Sequence, residues 1–169
     1  MIKKILKYGA PSLRENSRPV EKFDDELEKL AADMFETMYA APGVGLAAPQ
    51  VGINTRMFVI DVSGGKEPDE RIVLCNPRII ASEGTQEGDE GCLSVPELLE
   101  RVSRPMKVAV EAQNIKGEPF VFEGEGLLAR AVCHEIDHLD GIMFVDLLSP
   151  LKRAIIRGKI KKLVKAGKW

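Results

Sequence analysis

The 169-residue sequence predicts an α+β fold as a single domain over residues 1–169. Three observations carry this. Four segments rich in β-branched and aromatic residues fall together in the middle of the chain, bounded by Gly, Asn and Pro. A helical periodicity precedes them, and two more follow. Strands gathered between helices, with no regular strand–helix alternation, are the pattern of an α+β domain. The length suffices to bury a real core, and 44% hydrophobic with 30% charged residues is a globular composition. No run approaches the ~18 apolar residues of a membrane span. The start, "MIKKILKYGAPSLRE", has too short an apolar run for a secretory signal, so a cytoplasmic location and no membrane partner are expected. Three cysteines, an odd number, argue for reduced thiols or metal ligation over a disulfide framework.

In chain order, "FDDELEKLAADMFETMYAAPG" places Leu27, Leu30, Ala31, Met34 and Met38 on one helical face. Asp24 or Asp25 caps its start and Pro42-Gly43 ends it. "GVGLAAPQVG" holds too much Gly and Pro for a regular element and is read as a loop. Residues 56–62, 71–82, 106–113 and 119–123 are the strands, with Asn114–Glu118 as a hairpin turn between the last two. A helix is expected from about Glu125 to Asp140, ended by Asp140-Gly141. A basic C-terminal helix, about residues 150–166, starts at Ser149-Pro150 with serine as cap and proline in the first turn. Ile156, Ile160, Leu163 and Val164 form its apolar stripe. Residues 150–169 hold eight Lys/Arg and no acid, which leaves an acidic remainder with 16 basic and 26 acidic side chains.

Both histidines of the chain lie in "HEIDH", residues 134–138. On a helix turning ~100° per residue, His134 and His138 are only ~40° apart and reach one ion. Glu135 lies beside that ion, where a carboxylate can exchange protons with a reacting group. A catalytic site of this kind needs three protein ligands and an open position. Downstream there is no further His or Glu, only Asp140, too close to His138, and Asp146, so a zincin-type peptidase lacks its third ligand. Cysteine thiolate is the alternative. Cys133 points away from the His134–His138 face, and Cys75 reads as a small buried hydrophobe among aliphatics. Cys92, in the glycine-flanked loop "GDEGCLSVP", has room to bring its sulfur to a site. A non-catalytic protein with a purely structural metal would leave Glu135 and the open position without a role.

Three segments together resemble the peptide deformylases: Gly43-Val44-Gly45-Leu46-Ala47-Ala48-Pro49-Gln50, Glu90-Gly91-Cys92-Leu93-Ser94, and His134-Glu135-Ile136-Asp137-His138, in the family's order and spacing. The resemblance implies mostly antiparallel sheets packed around a central helix that carries HEIDH, with a C-terminal helix. It implies Cys92, His134 and His138 as ligands of Fe²⁺, with Ni²⁺, Co²⁺ or Zn²⁺ as substitutes. The activity it implies is removal of the N-formyl group from formylmethionine on newly synthesised polypeptides, with release of formate. Glu135 would move the proton. The Gln50 amide and the Leu93 N–H would hold the developing oxyanion; from sequence alone Gln50 would be read as bonding its own turn. Val44 N–H and Gly91 C=O are implied backbone partners of an extended peptide, which the missing side chain of Gly45 lets approach.

Leu127, Ala131 and Val44 are expected to line a methionine pocket, although core packing accounts for each equally well. Arg130, on the same helix face, would lay its stem along the wall and keep its charge in water. Asp137 is expected to be structural, paired with an arginine such as Arg104. Where the family commonly has glutamine before the first metal histidine, this chain has Cys133. For the basic tail the resemblance implies docking on the ribosome, against the plainer reading of a packed helix with solvated lysines.

Overall fold

The computed structural model describes residues 1–169. Helix α1 (Asp25–Ala40) starts where Asp24 accepts a hydrogen bond from Leu27 N–H, so the cap is Asp24. Strands β1 (Gly45–Ala47), β2 (Met57–Ile60), β3 (Ile72–Glu83), β6 (Lys107–Gln113) and β7 (Pro119–Glu125) build a five-stranded antiparallel sheet in the order β1-β2-β3-β6-β7. Strands β4 (Gln86–Cys92) and β5 (Val95–Arg104) form a separate antiparallel ribbon. Helix α2 (Leu127–Leu139) carries the HEIDH segment, and α3 (Pro150–Lys165) closes the chain with Ser149 capping Lys152 N–H. The α+β class, antiparallel pairing and C-terminal helix agree with the sequence reading.

Strand β2, paired on both edges, shows why its sequence is apolar on both faces. Met57 and Val59 pack with Leu27, Ala31, Met34 and Met38 of α1, while Phe58 and Ile60 pack with Ala129, Val132, Ile136 and Leu139 of α2. Helices cover both sides, so alternation would be wrong here and a continuous run is required. The packing of α2 on β2, β3, β6 and β7 fixes which of its faces turns away from the sheet. That remaining face carries His134 and His138. Cys75 and Cys133 are both buried in these apolar layers, and burial pushes the Cys75 thiol up to about 12.

Two expected loops are corrected. "GVGLAAPQVG" contains strand β1 and a turn of 3-10 helix, Ala48–Val51. Its small residues let the chain pass between the two helices with Leu46, Ala47, Ala48, Pro49 and Gln50 buried. "GDEGCLSVP" is the end of β4, its turn and the start of β5, so Cys92 ends a strand. In the C-terminal helix, Ile156 and Ile160 pack against Leu13, Phe144 and Val145, but Val164 is 57% exposed and lies off the stripe.

Candidate metal centre

Two periodicities meet beside α2. Along β4 the two-residue period turns Glu90 and Cys92 toward the helix, with a register shift at Gly91 between them. Along α2 the four-residue spacing stacks His134 and His138. The result brings the Cys92 sulfur within 3.2 Å of His138 Nε2, and that nitrogen within 3.1 Å of His134 Nε2. The three donor atoms lie within 4.8 Å of one another.

The donor set fits a divalent transition ion on its own chemistry. His134 faces Glu90 Oε2 through Nδ1 at 2.7 Å, which fixes the proton on Nδ1 and leaves the Nε2 lone pair toward the other donors. Ser94 N–H donates to the Cys92 sulfur at 3.4 Å, and Gln50 Nε2 approaches it at 3.6 Å. A soft sulfur with two imidazoles suits zinc or the later first-row ions.

The outer shell is a buried charge network that sequence reading missed in part. Arg104 holds Glu90 with two bonds, Nε to Oε1 at 3.0 Å and Nη2 to Oε2 at 2.6 Å, and reaches Asp137 Oδ2 through Nη1 at 2.7 Å. The Asp137–Arg104 pair is the one expected. Burial opposes ionisation of Glu90, but His134 and Arg104 together hold its carboxyl down at about 2. Glu90 had drawn no role; its signal was its place two residues before Cys92, on the same strand face. Arg130 departs from expectation. Its guanidinium is buried and donates to Glu90 Oε1 at 3.0 Å, so its charge is not in water. An acceptor from β4, a strand absent from the sequence reading, makes that burial tolerable.

Glu135 is 4% exposed, and its Oε1 has no hydrogen-bond partner. Burial, helped by the charges of Glu90 and Asp137 and opposed by His134 and Arg104, raises its carboxyl to about 7. Gly45 leaves the space its other oxygen occupies: a Cβ there would stand 2.6 Å from Oε2. Gly45→Ala is therefore expected to displace Glu135 and lower kcat about 10²-fold, since a shift near 1 Å in a reacting group has that effect. Its melting temperature should move little. An alanine enzyme with wild-type kcat would show that Glu135 tolerates displacement.

Gln50 is buried and oriented from both ends. Its Oε1 accepts from Ala47 N–H at 2.9 Å, and its Nε2 donates to Ser94 Oγ at 3.0 Å beside the Cys92 sulfur. The bond to its own turn is present and serves to aim the amide. One cleft is lined by Val44, Gly45, Gln50, Gly91, Cys92, Leu93, Leu127, Ala131, His134 and Glu135, which gathers the expected site residues. His138 lies behind them, 1% exposed. Leu127 is 55% exposed and Val44 37%, so core packing does not account for either; Ala131 is buried at the wall.

A family model described as polypeptide deformylase matches residues 2–154. A peptide deformylase of Acidobacterium capsulatum is 53% identical over 169 residues, covering 100% of this chain and 99% of its own. A crystal structure of a peptide deformylase from Legionella pneumophila superposes with a TM-score of 0.92 at 50% identity, over 99% of this chain and 98% of that one. That of a peptide deformylase from Synechococcus elongatus in complex with actinonin gives 0.89 at 39% identity, over 94% and 88%.

Proposed function

The chain belongs to the polypeptide deformylase family, hydrolases that remove the N-formyl group from nascent polypeptides, and from that premise we propose how its own residues do this. The observation that carries the reading is the convergence of Cys92, His134 and His138 beside a buried, half-partnered Glu135 at one cleft. The reading takes residues 1–169 as one catalytic domain. Cys92, His134 and His138 would hold the divalent ion. Iron is the ion we infer from the family likeness, with Ni²⁺, Co²⁺ or Zn²⁺ as substitutes; the ligand chemistry suits zinc equally. Once bound, such an ion supplies Lewis acidity to the attacking water and to the formyl oxygen.

The remaining work falls to the protein. Glu135 takes the proton from the water that attacks the formyl carbon and returns it to the departing amine nitrogen, which is otherwise a poor leaving group. A carboxyl raised to about 7 by burial is suited to both directions of that transfer. The Gln50 amide, aimed by Ala47 and Ser94, donates to the former formyl oxygen together with the Leu93 N–H. Val44 N–H and Gly91 C=O pair with the extended peptide, and Gly45 permits the close approach. Leu127, Ala131 and Val44 line the pocket for the methionine side chain. Formate release from a formyl-Met tripeptide by Fe²⁺- or Ni²⁺-loaded protein tests the reading, and a folded, loaded protein without turnover defeats it.

Cytoplasmic action on nascent chains is in keeping with the absence of any helix long and apolar enough to cross a membrane. Ribosome docking is proposed for α3, where Lys159, Lys161, Lys162 and Lys165 are exposed while Ile156 and Ile160 anchor the helix. Charge reversal at those four lysines is expected to lower co-sedimentation with ribosomes at low salt and to leave tripeptide turnover unchanged. Unaltered co-sedimentation would assign α3 to packing alone.

A further inference from the structure

Val44 stands between two glycines that their neighbours require. A Cβ at Gly43 would lie 2.7 Å from Leu93 Cδ1, and one at Gly45 would lie 2.6 Å from Glu135 Oε2. Glycine on both sides leaves the backbone at 44 free to turn unless something outside the segment holds it. Two bonds do so. Gly43 N–H donates to the Met38 carbonyl at 2.8 Å, and Asp61 N–H donates to the Val44 carbonyl at 2.9 Å, while the Val44 N–H is paired with no backbone carbonyl. Asp61, just past the end of β2, is fully buried. Its Oδ2 accepts from the Tyr39 hydroxyl at 2.5 Å and from Gly65 N–H at 3.1 Å. Its Oδ1 accepts from Ser63 N–H at 2.9 Å and from Ser63 Oγ at 2.6 Å. Buried carboxylates are ordinarily paired with a cation or a metal; this one is held by a phenol, a hydroxyl and two backbone N–H groups. Burial opposes its ionisation, but the donors from Ser63, Tyr39 and Gly65 hold the carboxyl below its ordinary value. Burial and the bond to Asp61 push the Tyr39 phenol up to about 12.

We propose that Asp61 is a positioning residue for peptide binding: it grips Tyr39 at the end of α1 and Val44 just before β1, and so fixes the Val44 N–H for the substrate backbone. The proposal rests on the reading above, that this N–H pairs with an extended peptide. Tyr39 and Val44 are the two ends of the short connection from α1 to β1, so one side chain and its own N–H tie both. The carboxylate also draws residues 61–65 into a tight turn, which Gly64 and Gly65 permit with φ of +67° and +89°. That turn keeps the end of β2 from fraying and holds Asp61 N–H on the Val44 carbonyl. With Gly43 N–H and Val44 C=O both tied, the peptide unit between them, which carries the Val44 N–H, has little freedom left. The donor is then ordered before the substrate arrives, and binding does not have to order it.

The test measures KM and kcat for a formyl-Met tripeptide in the wild type, Asp61→Asn and Tyr39→Phe, all loaded with the same ion. Asparagine keeps the shape of Asp61 but turns one accepting oxygen into a donor, and phenylalanine removes only the hydroxyl. Loosening one backbone bond to the peptide is expected to raise KM about fivefold in both variants, the worth of one modest hydrogen bond. kcat should hold, because Glu135, Gln50 and the ion-binding donors are untouched. A merely structural role reads differently: a smaller folded fraction lowers kcat at the wild-type KM. Tyr39→Phe guards against an asparagine variant that does not fold. A KM at the wild-type value in either folded variant, whatever kcat does, overturns the assignment while leaving deformylation standing. A wild type that does not process the peptide overturns the reading on which it rests.

Discussion

Glu135→Gln is expected to lower kcat for formyl-peptide hydrolysis by ~10²–10⁴-fold while the protein still binds its divalent ion with unchanged affinity. The substitution is isosteric, and the side chain is not among the three converging donors. The buried pocket around it, with Gly45 against one oxygen, stays filled. What glutamine removes is the capacity to accept a proton from water and hand it to the leaving nitrogen. The acid side of the pH profile should follow. Burial, modified by the surrounding protein charges, raises the carboxyl to about 7, and a divalent cation beside it favours the ionised form, so the acidic limb of kcat/KM belongs below that value. The carboxylate is the active form, so the rate rises with pH through this limb, and in Glu135→Gln the limb should vanish. Single-turnover formate release across pH, with ion content measured on the same samples, checks both. A glutamine enzyme with near-wild-type turnover would remove Glu135 from the chemistry.

The histidine pair was legible because it sits on a regular period. A four-residue repeat of histidine around a glutamate has one geometric outcome on a helix, and the packing of Ile136 and Leu139 on the sheet dictates which way it faces. The β4–β5 ribbon was not legible, for an equally physical reason. Its buried positions include Glu90 and Arg104, while Leu99 is 64% exposed, so a hydropathy pattern reports the wrong residues as interior. With that ribbon unseen, Arg130 had no visible acceptor, and its charge was assigned to water. The same gap concealed Glu90, whose role exists only once β4 lies against α2. The short β1 escaped because three residues of Gly, Leu and Ala carry little strand preference. Pairing with β2 makes it a strand.

The largest expected loss is at Cys92. Cys92→Ser should weaken divalent-ion binding by well over ~10²-fold, because even the partners that only orient a ligand are worth 10–100-fold. Serine replaces a soft sulfur donor with a hard hydroxyl, and two imidazoles alone make a poor site. The network that positions His134 does not pass through the sulfur: Arg104, Glu90 and Asp137 remain bonded, so the metal-free fold should persist. Glu90→Gln makes the instructive comparison. It keeps all three donors and strips the carboxylate from His134 Nδ1, so affinity should fall only 10–100-fold, but it leaves Arg104 and Arg130 short of a buried counter-charge and should destabilise the fold by about 3–5 kcal/mol. Cys75→Ser supplies the reference, because that thiol lies in the apolar layer under α1 and should leave ion affinity untouched. Chelator competition separates the three. Ion binding in Cys92→Ser that matches Cys75→Ser would exclude the sulfur as a ligand.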